Sequence, residues 1–157
     1  MTQAITHYRK DYQASFYQIK TIDLHFTLTE TDTLVRATTE FYRRSEAKAE
    51  LPLVLAGVAL ELVSVKLNGQ AHPYQLAEEE LILSNLPAEF TLEIVTRIYP
   101  HKNTSLEGLF WTKGLFCTQC EPHGFRKITY YLDRPDIMAK YSTTIVADIK
   151  AYPVLLS

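Results

Sequence analysis

Residues 21–29 read TIDLHFTLT, and apolar and polar side chains take strict turns: Ile22, Leu24, Phe26 and Leu28 against Asp23, His25, Thr27 and Thr29. Successive side chains of an extended chain point to opposite faces, so a period of two marks a strand with one face buried and the other wet. Working outward, TLVRATTEFYR (33–43) repeats the pattern with Val35, Ala37, Thr39 and Phe41. EFTLEIVTRIY (89–99) does so with Phe90, Leu92, Ile94, Thr96 and Ile98. Shorter runs lie between: LPLVLAG (51–57), ELVSVKLNG (61–69) and ELILSNLP (80–87). Asn68-Gly69 predicts a type I′ hairpin, because both residues tolerate positive φ. Pro73, Asn85 and Pro87 punctuate the next connections. Short strands at close spacing predict an all-β domain over residues 1–157, an antiparallel sandwich or curved sheet.

The texture changes after Pro100. HKNTSLEGLFWTKGLFCTQCEPHGF (101–125) shows no sustained alternation and sets glycines beside bulky aromatics, which predicts a long loop of the kind that carries function. RPDIMAKY (134–141) predicts about one helical turn, with Pro135 in the first position. YSTTIVADI (141–149) returns to a β-branched strand pattern, and YPVLLS (152–157) opens another extended segment. The chain stops inside that apolar run. The expectation is a domain incomplete at its C-terminal end, whose uncovered edge or apolar face leads the chain to self-associate.

The 157 residues are 46% apolar and 22% charged, with a net charge of −2, an ordinary globular balance. That charge gives no electrostatic reason for a nucleic-acid or anionic-membrane partner. Arg43-Arg44 has Glu40, Glu46 and Glu50 close by and reads as a solvated face. The polar start has no signal-peptide pattern, and the most apolar run, LPLVLAGVALELV, is too short and too interrupted to span a bilayer. With two cysteines only, a cytoplasmic, reducing compartment is the simplest expectation.

Those cysteines, Cys117 and Cys120, admit three readings. A thioredoxin-like redox pair needs a helix after it; here Glu121-Pro122 follow, and a neighbouring carboxylate raises a thiol's pKa. A metal site gains His123 from the spacing C-x-x-C-x-x-H, yet His7, His25, His72 and His101 supply no partnering spacing for the four ligands structural zinc requires. The third reading makes both cysteines small packing residues, the commonest fate of a free thiol. In an extended segment Gln119 and Glu121 would then project together with Cys117, and Pro122 would narrow the freedom of Glu121. A stiffly held carboxylate beside an amide suits a cationic group such as an ammonium.

The stretch from Asn103 to Ser157, with CTQCE (117–121), GFR (124–126), ITYYLDRPD (128–136) and YPVLLS in that order, resembles the N-terminal domain of the bacterial aminopeptidase N family of zinc peptidases. YQIKTIDLHFTL (17–28) and LILSNLPAEFTLEI (81–94) resemble the family's first strands more loosely. The resemblance implies a saddle-like β domain covering one side of a separate catalytic domain. It implies that Glu121 binds the α-amino group of a peptide substrate, that Gln119 lines the pocket for the first side chain, and that the cysteines have no catalytic role. The zinc motif H-E-x-x-H and the exopeptidase motif G-A-M-E-N are absent from this sequence. Zinc and the catalytic residues are therefore expected outside this chain, which alone should bind no metal and hydrolyse nothing. The competing expectation, from another class, is a stand-alone β-sandwich that binds carbohydrate or protein through Phe110, Trp111 and Phe116.

Overall fold

The computed structural model describes residues 8–45 and 51–155. Glu46, Glu50, His7 and the end of YPVLLS, named above, lie outside them. Among the described residues eleven strands form in chain order: β1 (Tyr17–Leu28), β2 (Thr33–Arg43), β3 (Leu53–Ala56), β4 (Glu61–Leu67), β5 (Gln70–Ala71), β6 (Gln75–Leu76), β7 (Glu80–Leu83), β8 (Glu89–Ile98), β9 (Gly108–Thr112), β10 (Leu115–Gln119) and β11 (Lys140–Val146). The rest is turns and three short 3-10 segments, at Arg9–Asp11, Pro100–Lys102 and Phe125–Lys127. The all-β architecture is as the alternation predicts.

Six strands make one sheet in the order β11-β1-β2-β8-β4-β5, three make a second, β3-β7-β6, and β9 and β10 form a separate hairpin. The alternating positions sort as read. Ile22, Leu24, Phe26, Val35, Ala37, Phe41, Phe90, Leu92, Ile94 and Ile98 are buried, in one cluster with Leu53, Leu55, Leu81 and Leu83 of the smaller sheet. Burying four leucines of a short sheet against the broad one is what holds the two together, since each fully buried leucine contributes roughly 1.5–3 kcal/mol. Asn68 and Gly69 both have positive φ (49° and 81°) between paired Leu67 and Gln70, the expected I′ turn.

Three expectations are corrected. The sheet is mixed, because β11 runs parallel to β1 from Thr21↔Lys140 to Thr27↔Val146. Alternation reports a strand without its direction, and a parallel partner needs a long crossover. The segment 101–125 is not one long loop. It contains the β9–β10 hairpin, turned by Lys113 (φ 48°) and Gly114 (φ 87°). RPDIMAKY forms no helix. Arg134 instead grips Asp136 with two hydrogen bonds of 2.8 and 2.7 Å across a tight turn, and Ile137 N–H reaches Arg134 O at 3.2 Å. Tyr152–Leu155 join no sheet.

Candidate functional site

The hairpin register pairs Thr112 with Leu115 and Gly108 with Gln119, so β10 delivers its last residue beside the first of β9. Phe116, Thr118 and Cys120 line an apolar groove of about 440 Å³ shared with Leu24, Phe26 and Ile145. Strand alternation then puts Cys117 and Gln119 on the opposite face. Gln119 is exposed, and its Nε2 donates to the backbone oxygen of Glu121 at 3.2 Å. Glu121 does not continue the strand. It starts a turn with a cis Glu121–Pro122 bond, closed by a 2.7 Å hydrogen bond from Gly124 N–H to Cys120 O. The two predicted site residues thus come together through a turn and an amide contact, rather than through shared strand alternation. The Glu121 side chain is exposed, and among the described residues it has no ion-pair partner.

What holds this turn was not visible as a motif. Gly124 is buried, and a Cβ there would lie 2.5 Å from Gln119 O, 2.8 Å from Cys120 Cα and 3.1 Å from Gly108 N. Gly108 itself has φ +72°, and its Cβ would meet Lys127 Cβ at 2.7 Å. Two glycines therefore let the hairpin base and the turn pack backbone to backbone. Behind them Arg126 is locked to Asp133: its backbone N–H and Nε donate to Asp133 Oδ2 (3.2 and 2.8 Å), and Nη2 donates to Asp133 O at 3.1 Å. The segment is also tied to the smaller sheet. Val58 N–H reaches Arg126 O at 2.9 Å, and Ala56 and Tyr131 exchange hydrogen bonds of 2.8 and 3.0 Å. Thr96 Oγ1 adds a 2.9 Å bond to Ile128 O, anchoring the same stretch to β8.

Both cysteines are free. Cys120 packs against the core, and burial, followed by the charge of Asp133, pushes its thiol pKa up. That disfavours the thiolate a redox or metal role would use and agrees with the packing reading. His123 is exposed, and among the described residues no group of three or more His, Cys, Asp and Glu side chains could hold a metal ion. The aromatic trio offered for a binding module is not one open platform. Phe110 and Trp111 are adjacent on β9 and face opposite ways, while Trp111 lies tilted against His101 with ring centroids 4.7 Å apart, and Phe116 packs against His101 and Tyr152. Among the described residues no helix is long and apolar enough to cross a membrane.

Comparison with known proteins adds the lineage. The model of the Peptidase M1 N-terminal domain matches residues 17–157. Aminopeptidase N of Escherichia coli is 49% identical over 153 residues, covering 96% of this chain and 17% of that protein. Aminopeptidase N of Haemophilus influenzae is 44% identical over 154 residues, covering 96% and 18%. The chain therefore spans under a fifth of the length of these curated relatives. Among solved structures, Legionella pneumophila aminopeptidase A in complex with aspartic acid superposes with a TM-score of 0.86 at 33% identity, over 94% of this chain and 18% of that one. An M1 zinc metallopeptidase from Deinococcus radiodurans shares the fold at a TM-score of 0.70 and 20% identity, over 84% and 32%. A family match over nine-tenths of the sequence and a matching fold lead to one conclusion: this chain belongs to the Peptidase M1 N-terminal domain family.

Proposed function

We propose that this chain is the substrate-anchoring domain of a zinc aminopeptidase, with Glu121 binding the free α-amino group of a peptide and Gln119 bordering the pocket for its first side chain. The observation that carries the reading is the Glu121 turn. It holds an exposed carboxylate on a short turn, braced by the Gln119 amide and closed around Gly124. A carboxylate facing an ammonium forms a charge-assisted hydrogen bond worth about 1.5–3 kcal/mol. Such a contact admits peptides by their free amino terminus and leaves the bond-breaking step to groups elsewhere. Zinc and the general base belong to a separate catalytic domain, so this chain alone is inactive. Two free thiols suit a reducing, cytoplasmic setting.

The test is kinetic. In the enzyme that carries this domain, Glu121→Gln should lower kcat/KM for a dipeptide by about tenfold or more, the loss expected for about 1.4 kcal/mol. Cys120→Ser, one residue away, should cost much less. A silent Glu121→Gln beside a crippled Cys120→Ser would reverse these roles.

A further inference from the structure

The loop leading into β9 follows a path that its own residues disfavour. Leu106 has φ 58°, in the left-handed region that a bulky side chain seldom enters, and that side chain is exposed, so packing does not compensate. One amide holds the loop in this shape. Asn103 Nδ2 donates to Glu107 O at 2.7 Å and to Leu109 O at 2.9 Å. Its Oδ1 accepts from Ser105 N–H at 3.1 Å and from Ser105 Oγ at 2.7 Å. Two donors and two acceptor sites are the full capacity of an amide side chain, and all four serve the same loop. Ser105 Oγ in turn accepts from Lys127 Nζ at 2.9 Å, and that ammonium pairs with Glu107 Oε2 at 2.9 Å.

The loop delivers Gly108, which lies opposite Gln119 in the hairpin and against Gly124 in the Glu121 turn. Lys127 grips both sides of that contact, since its backbone N–H donates to Gly124 O at 3.1 Å while its ammonium holds Ser105 and Glu107. Backbone in a disfavoured region persists only where its surroundings over-determine it, and such strain gathers where position matters to function. We propose that Asn103 is a positioning residue for the Glu121 carboxylate, acting through the 103–109 loop and the Gly108–Gly124 contact, with Lys127 as the second tie. The inference rests on the anchoring role proposed for Glu121. Asn103 acts without touching the peptide. It keeps the turn in place before an ammonium arrives, so that little ordering is left for the binding step.

The test is made in the enzyme that carries this domain, with a matched pair of inhibitors that differ only in the α-amino group. The ratio of their affinities reads how well Glu121 is placed. Asn103→Asp keeps the shape and the acceptor for Ser105 but turns an oxygen towards the Glu107 and Leu109 carbonyls. It should shrink the ratio by at least about fivefold, while the des-amino inhibitor still binds within about twofold of its affinity for the unaltered enzyme. A loss of fold or of the whole site would weaken both inhibitors alike. Lys127→Met removes the other tie and keeps the side-chain stem; it should shrink the ratio by about threefold or more, and it carries the test if Asn103→Asp does not fold. An undiminished ratio in a folded variant, or equal weakening of both inhibitors, would overturn the positioning role. Glu121→Gln separates the two ideas. If it abolishes the discrimination while Asn103→Asp leaves it whole, the anchor stands and the positioning role falls. If Glu121→Gln leaves the discrimination intact, the anchor itself falls, and this inference with it.

Discussion

Gly124 shows how much of the candidate site rests on an absent side chain. Its φ of −88° is open to any residue, so the constraint is space rather than backbone conformation. A methyl group there would press on Gln119 O, Cys120 Cα and Gly108 N, and backbone atoms cannot rotate aside. Gly124→Ala should destabilise the chain by about 1–3 kcal/mol, as overpacking does. It should also displace the Glu121 turn, so that the enzyme carrying it loses kcat/KM even where it remains folded. Thermal melts and kinetics on the same preparation read the two effects. Gln119 and Glu121 could be singled out as candidates because a carboxylate beside an amide before proline is a chemical pattern. Gly124 was not, since a glycine in sequence does not disclose what approaches it.

Among the elements, the Arg126–Asp133 clamp fixes the stretch behind the turn. The Asp133 carboxylate is only 8% exposed and takes two hydrogen bonds from Arg126. Asp133→Asn keeps the shape but leaves the guanidinium without its counter-charge, and should cost about 2–3 kcal/mol in a urea melt. The β1–β2 turn carries a second prediction. Hydrogen bonding from Thr29, aided by Arg97 at 2.7 Å, holds the Asp32 carboxyl below its ordinary value. Arg134 and Tyr12 hold Asp136 low in the same way. Both ionised groups favour the folded state above the ordinary carboxylate pKa of about 3.9, and that contribution is lost as pH falls through their lower folded values. Stability should therefore fall steeply below about pH 4, and Asp32→Asn should flatten that limb of a pH series.

The long strands were readable because each buries one face. Even so, β1 carries a bulge between Ile19 and Thr21 that shifts its phase, so Ile19 and Ile22 are both buried. The period of two holds only from Thr21 onward. The β9–β10 hairpin escaped notice for a related reason. Neither of its faces is cleanly buried: Trp111 and Thr118 on the groove face are exposed, while Phe110 and Cys117 on the other are half-buried, which blurs the alternation. Lys113-Gly114 was its one local signal. The direction of β11 had no local signal at all.

In the molecule as a whole, two sheets sharing one core support a hairpin and turn that carry an exposed Glu121. We propose that this carboxylate meets the ammonium of a peptide. A double-mutant cycle in the enzyme carrying the domain tests it most directly, with Glu121→Gln as one change and a des-amino inhibitor, lacking only the α-amino group, as the other. Removing the amino group should weaken binding strongly in the unaltered enzyme and little in Glu121→Gln, a coupling of about 1.5–3 kcal/mol. Equal losses in both enzymes, with no coupling between the changes, would contradict it.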